Sequence, residues 1–277
     1  MSQVDRFLRQ VASVGSEAAA ILSRVPDQHS PPLRPDWLRC EMLERFLLLQ
    51  EARIPAGTSV LEVAAGPHAI TTVPLAALVG EGGTVVAVER ERWGHFREVV
   101  GWTGMGDRVS PVMGDAGALP FRTRSLSAAF CVHGIRSLGE DDSIVRILRE
   151  MLRVASSVFL AESLPEARSD AQKAHLAMYD LRSKVFEART GKADDLPYRP
   201  LGQLRMLVER SGGKVRDSKV IDVDLPHALA YFPRKYAEGV SDPDRRQELL
   251  QRWDRANQLA HDHGVDHPPV GIVQASR

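Results

Sequence analysis

Apolar and polar positions along this chain change period several times, and each change predicts an element. Val4, Phe7, Leu8, Val11, Val14, Ala18, Ile21, Leu22 and Val25 recur at helical spacing, which predicts one amphipathic helix over residues 3–25. Its polar face mixes both charge signs, so it reads as a cap packed on a larger domain rather than a membrane-surface helix. The Pro-rich "SPPLRP" at 30–35 interrupts the pattern. A second helix is predicted from Trp37 to about Glu51, with Asp36 as its N-cap.

Strands and helices then alternate. Continuous apolar runs predict strands at Ser59–Ala64, Gly83–Glu89, Arg108–Met113, Ser127–His133 and Val158–Ala161. Helical spacing predicts Ala69–Val79, Arg92–Val100 and Asp142–Val154 between them. That rhythm implies a parallel sheet covered by helices on both faces. Such sheets bind ligands beyond the carboxyl ends of their strands, so the loops after residues 64, 89, 113 and 133 should converge on one site. Two helical stretches, about 165–191 and 226–264, interrupt the later chain. Between them "YRPLGQLRMLVERSGGKVRDSKVIDVDL" reads as helix, Gly-Gly stop and strand, and "VGIVQAS" (270–276) reads as a last strand.

Composition narrows the function classes. The 277 residues are 43% hydrophobic and 26% charged, enough to bury a full core, and Lys+Arg and Asp+Glu both number 36. No global field therefore draws the chain to nucleic acid or an anionic surface. Two cysteines, Cys40 and Cys131, make neither a disulfide framework nor a metal cluster. Charges interrupt every apolar run near the start, and no run reaches the ~20 residues of a membrane span. A cytoplasmic protein is the expectation.

The chemistry is concentrated in "VLEVAAGPHAI" (60–70). Glu62 ends an apolar strand, and Ala64, Ala65, Gly66, Pro67 and His68 form the turn before a helix, whose unpaired N–H groups suit an anion or a polar ligand edge. Small residues at 64–66 allow close approach of a ligand to the backbone. The same loop matches a degenerate dinucleotide fingerprint, so a nicotinamide-dependent oxidoreductase stays open at this point. In "TVVAVERE", Glu89 ends the second strand where a carboxylate can accept two ribose hydroxyls, with Arg90 following. In "GDAGALPF" (114–121), Asp115 can accept from an adenine amino group while the Ala116 N–H faces a ring nitrogen.

These segments together resemble class I S-adenosylmethionine-dependent methyltransferases over about residues 55–163. "VLEVAAGP" looks like the first motif of that family, "VVAVER" the second, and "GDAGALPF" the adenine loop of its small-molecule branch. "LREMLRV" (148–154) is similar to the helix before the fifth strand, and "HGIRSL" (133–138) is similar to the matching stretch of ubiquinone/menaquinone C-methyltransferases. The resemblance implies a Rossmann-like sheet, mostly parallel with the last strand antiparallel. Together with the helical patterns on either side, it gives a helical cap over 1–50, then a methyltransferase domain over 51–277 with insertions at about 165–199 and 226–267. It implies S-adenosyl-L-methionine as cofactor, held by Glu62, Ala64–His68, Glu89, Arg90, Asp115, Ala116 and His133, and methyl transfer to a small-molecule acceptor. Two departures stand out. His68 replaces the last glycine of the loop, and "VASSVFLAES" lacks the Pro-Gly-Gly turn before the fifth strand.

His133, at a strand end facing this site, is the candidate general base. His175, Tyr179 and Arg182 share a helix face and are candidate substrate contacts. "HDHGVDHPP" (261–269) reads as a polar loop rather than a metal site, and Cys131 as core. The fourth-strand loop lacks the Asp/Asn-Pro-Pro-aromatic motif of base N-methylating enzymes. An RNA methyltransferase and a cofactor-binding protein without catalysis remain alternatives, and the oligomeric state, a homodimer included, is not encoded in any of these patterns.

Overall fold

The computed structural model describes residues 3–29, 34–90, 93–192, 197–227 and 232–277. The predicted N-terminal helix is two helices, α1 (Gln3–Ser13) and α2 (Ser16–Ser23), because Gly15 adopts φ 90° between them and ends the helical path. The next helix, α3 (Pro35–Leu49), starts earlier than predicted: Pro35 takes its first position and Arg34, not Asp36, stands at the N-cap. The segment 30–33 before it lies outside the described residues.

The alternating region follows as β1 (Ser59–Val63), α4 (Thr72–Val79), β2 (Thr84–Glu89), α5 (Phe96–Thr103), β3 (Val109–Met113), β4 (Leu126–Val132), α6 (Asp141–Val154) and β5 (Ala155–Ser163). α4 starts later than predicted since Pro74, which has no N–H, fits only in a first turn, and Ala69 turns at φ 52° ahead of it. α5 begins at Phe96; the predicted start at Arg92 lies outside the described residues. α6 passes into β5 with no intervening turn, in keeping with the missing Pro-Gly-Gly. Then come α7 (Asp170–Thr190), α8 (Leu201–Arg210), β6 (Lys214–Ile221), α9 (Lys235–Glu238), α10 (Pro243–His263) and β7 (Val270–Ser276).

The seven strands lie in the order β3-β2-β1-β4-β5-β7-β6. β7 alone runs against its neighbours and sits between β5 and β6, pairing Ala161 with Ile272 on one side and Lys219 with Ile272 on the other. Residues along β1 alternate between two cores, as the pleat requires. Val60 joins the layer containing α2, α3, α4 and α5, while Leu61 and Val63 join the layer containing α6 and α8. The strand order reverses between β1 and β4, the position at which open α/β sheets bind ligands. α7 and α10 pack on each other through a separate apolar cluster that includes Leu181, Val185 and Leu249. No helix among the described residues is long and apolar enough to cross a membrane.

Candidate active site

Loops from four strand ends meet at the reversal point. The Ala65 N–H donates to the Val88 carbonyl (3.3 Å), and Gly114 N–H donates to the Glu89 carbonyl (3.2 Å). The Glu89 carboxylate accepts from Gly66 N–H at 3.0 Å through one oxygen and from Arg90 N–H at 2.8 Å through the other. Both oxygens keep free lone pairs, so the acid is oriented and still able to accept from a diol. Ala64 stands at φ 58°, a left-handed conformation that costs an alanine about 1 kcal/mol. Gly134 closes the fourth loop over it: a Cβ there would lie 2.8 Å from Cys131 Sγ and 2.9 Å from Ala64 Cβ.

Asp115 is exposed, and its Oδ1 accepts from the Gly117 N–H (2.8 Å), which leaves Oδ2 for a ligand; Ala116 packs against the core beside it. Glu62 is buried, with Thr72 Oγ1 donating to it at 2.5 Å. Burial pushes the Glu62 carboxyl up to about 8, Thr72 and Arg45 acting against that shift and Glu89 adding to it. His68, in the glycine position, lies edge-on to Trp37 (5.4 Å) and stacks on His95 (5.7 Å). Burial and His95 both lower its pKa.

His68 and His133 also line a cavity of about 980 Å³ beneath α3 and α7. His175, Tyr179 and Arg182 line the same space, so the helix face singled out in the sequence does turn toward it. His133 ends β4 at φ 51°, an outlier for a non-glycine residue. Its Nε2 is 3.0 Å from Glu44 Oε1, and its Nδ1 is 3.1 Å from Ser163 Oγ and 3.5 Å from Glu162 Oε1. Burial lowers the His133 pKa, and Arg45 lowers it further.

Much of the cavity's chemistry comes from residues that the sequence patterns missed. Glu41, Glu44 and Arg45 of α3 are buried; Arg45 pairs with Glu44 and, at 3.0 Å, with Glu41. Burial acts to raise Glu41, and His227 and Arg45 outweigh it, holding the acid well below the usual carboxylate range. The same balance, with His133 and Arg136 as partners, keeps Glu162 low. Arg136 sits 3.2 Å from Glu162 and over the rings of Tyr179 (5.1 Å) and Tyr198 (4.6 Å). Burial pushes the Tyr198 hydroxyl up to about 12 and His175 down to about 3. The lining also has apolar members, Met178, Val185, Phe186 and Phe232.

The predicted polar loop at 261–269 divides. His261 and His263 belong to the last turn of α10, whereas His267 turns inward beside His227 and His175, with ring centroids 4.4 Å (His267–His227) and 4.7 Å (His175–His227) apart. A signal for the missed residues does exist in "LRCEMLERFLLL". A helix apolar nearly all round leaves its charges at 41, 44 and 45 no solvated face to occupy.

No family model matches the chain. It is 27% identical, over 154 residues, to the ubiquinone/menaquinone biosynthesis C-methyltransferase UbiE of Hahella chejuensis; the match covers 55% of this chain and 59% of that protein's length. The fold is similar to that of a cyclopropane-fatty-acyl-phospholipid synthase-like protein from Lactobacillus casei, with a TM-score of 0.69, 11% identity and coverage of 94% and 99% of the two chains. A protein of Bacillus halodurans C-125 assigned as a methyltransferase matches with a TM-score of 0.53, 14% identity and coverage of 84% and 97%. The [4+2]-cyclase SpnF matches at 0.52, 16% identity and coverage of 85% and 81%. Sheet order and solved structures agree on the fold: the chain has the Rossmann-like sheet of the class I S-adenosylmethionine-dependent methyltransferases.

Proposed function

We propose that the protein transfers a methyl group from S-adenosyl-L-methionine to a small amphipathic acceptor held in the 980 Å³ cavity. The observation that carries this reading is the Glu89 carboxylate, oriented by Gly66 and Arg90 N–H groups at the reversal point, on a loop whose His68, two residues beyond Gly66, lines a ligand-sized cavity. Glu89 would hold the ribose, Asp115 Oδ2 and Ala116 the adenine, and the loop from Glu62 to His68 the amino-acid part, where residues 64–66 leave room for it. Bound there, the cofactor supplies an electrophilic methyl group on a sulfonium. The chain's own contribution is alignment and exclusion of water, which account for much of such a reaction's acceleration.

The cavity sorts acceptors by shape. A polar head faces His133, Glu44 and Arg45, and an apolar body lies along Met178, Val185, Phe186 and Phe232. His133 accepts the proton that an acceptor hydroxyl or activated carbon gives up, at Nδ1 where Ser163 now stands, while Glu44 stabilises the resulting imidazolium through Nε2. Tyr179, Arg182 and His175 complete the wall under α7.

Calorimetric titration with S-adenosylmethionine and S-adenosylhomocysteine tests the cofactor assignment. Asp115→Asn keeps the acceptor that caps Gly117 and turns the other oxygen into a donor, so affinity should fall at least tenfold with the loop intact. Failure of the wild type to bind either ligand would overturn the assignment. His68 in the glycine position favours a second reading, cofactor binding without turnover, and the fold itself serves other chemistry. Binding without methyl transfer to any of a panel of amphipathic hydroxyl and carbon acids would select it.

A further inference from the structure

A short antiparallel ladder brings two histidines from distant parts of the chain side by side. His227 N–H donates to the Val265 carbonyl at 2.7 Å and His267 N–H to the Leu225 carbonyl at 3.2 Å, with Pro226 bridged to Asp266. Arg6 of α1 clamps both segments, reaching Asp224 at 2.7 Å and both Asp266 oxygens at 2.9 Å. Glu41 faces the pair from α3, with Oε1 2.7 Å from His227 Nε2.

We infer that Glu41, His227 and His267 form a binding site for a divalent transition-metal ion of the zinc class in the cavity wall. One ligand atom from each residue lies within 4.8 Å of the others. Tetrahedral ligands stand about 3.3 Å apart around a metal at ~2.0–2.1 Å, so side-chain rotation alone closes the set. His227 Nδ1 and His267 Nε2 are buried and have no hydrogen-bond partner among the described residues, as is His175 Nδ1 beside them. A buried unpaired nitrogen is costly, and a metal ion held at His267 Nε2 satisfies one of these three. Arg45 Nη2, 3.0 Å from Glu41 Oε2, orients the carboxylate from outside the set, and Glu44 offsets its charge.

Two imidazoles and one carboxylate are the donor set of catalytic zinc sites, which keep one position open. All three residues line the cavity, so the open position faces whatever the cavity holds. Its ligand class is an oxygen anion: a phenolate, enolate or carboxylate. That the anion belongs to a methyl acceptor rests on the proposed transfer reaction; the metal site does not. Among the described residues a second group, His29, His95 and Glu98, lacks these features, since Glu98 is exposed and bonds both imidazoles at 2.8 Å.

The test uses Co²⁺ alone as probe, on chelator-stripped protein with no S-adenosylmethionine present. The expected result is one equivalent bound, with visible bands of a low-symmetry, four-coordinate ion that disappear when Zn²⁺ is added. His267→Ala and His227→Ala should each weaken binding at least 100-fold, more than loss of an outer-sphere partner does. His261→Ala, at an exposed position of α10, should change nothing. Circular dichroism reports whether each variant folds, and the wild-type stoichiometry decides by itself if neither does. Absence of stoichiometric uptake by the wild type, or retention of affinity in a folded His267→Ala protein, overturns the site. Calorimetry with S-adenosylmethionine is a separate readout, so the two assignments fail independently.

Discussion

Replacing Glu62 by glutamine should stabilise the cofactor-free protein, by an amount that grows as pH rises from the ordinary carboxylate range to about 8. The carboxyl is buried, its pKa is raised to about 8 chiefly by loss of water, and Thr72 is the hydroxyl that donates to it. An unfolded glutamate titrates near 4.5. Below that value both states carry the proton and the site has no effect on stability. As pH rises toward 8 the unfolded chain ionises while the folded one stays protonated, so stability falls by about 1.36 kcal/mol per unit. Above 8 both states are ionised and the loss is complete, approaching 5 kcal/mol as an order-of-magnitude figure. Glutamine keeps an oxygen for Thr72 and has no proton to lose. Urea unfolding of wild type and Glu62→Gln at pH 5 and 8.5 should give a stability difference that grows by about 4 kcal/mol in favour of the variant. A difference that changes by less than about 1 kcal/mol between the two pH values would refute the reasoning.

Arg45→Met leaves Glu41 and Glu44 buried without their guanidinium and should cost about 3–5 kcal/mol by denaturant unfolding, most of it regained when both acids are also made glutamine. Glu162 and Glu41 are held below the usual carboxylate range, so their contribution is present above the unfolded value and is lost as pH falls through the folded one. Glu162→Gln should accordingly flatten the acid limb of a stability–pH curve. Gly134→Ala drives a methyl group to 2.8 Å from Cys131 Sγ and should lower stability by about 1–3 kcal/mol, read as a lower Tm. His133→Asn tolerates φ 51° and should fold normally, while kcat for an acceptor that must lose a proton falls by about 10²–10⁴; an unchanged kcat would remove His133 from proton transfer.

The sheet was legible because buried parallel strands are continuous apolar runs bounded by turn residues, as in "TVVAVE" and "FCV". The N-terminal break was not, since Gly15 sits inside an unbroken helical periodicity and only its φ of 90° separates α1 from α2. The loops that meet at the reversal point could be read because their parts lie within short motifs. Glu89 and Gly66, bonded at 3.0 Å, are joined by a predictable strand–turn–helix–strand path. The cavity could be read only in part. His133, His175, Tyr179 and Arg182 follow from strand ends and helix faces. Glu41 and His227 touch across 186 residues of sequence, through a ladder of a few backbone hydrogen bonds that leaves no periodic trace. Arg45 and its acids are marked only by the apolar helix around them, which says that they are buried and not what they touch.

The position of β7 has a consequence for how the protein is made. β5 and β6 do not touch; both pair with β7, which follows them in the chain. A nascent chain that has completed residues 155–163 and 214–221 therefore carries two strands with open hydrogen-bonding edges flanking an empty lane, a template for pairing with another chain. Until residues 265–267 are made, the chain also lacks Asp266 and His267, so the clamp from Arg6 is incomplete and the cavity wall is unbuilt. Sheet closure and completion of the site thus coincide when residues 265–276 arrive. Chains halted before that point should be the aggregation-prone species during synthesis, and none of them should carry partial function.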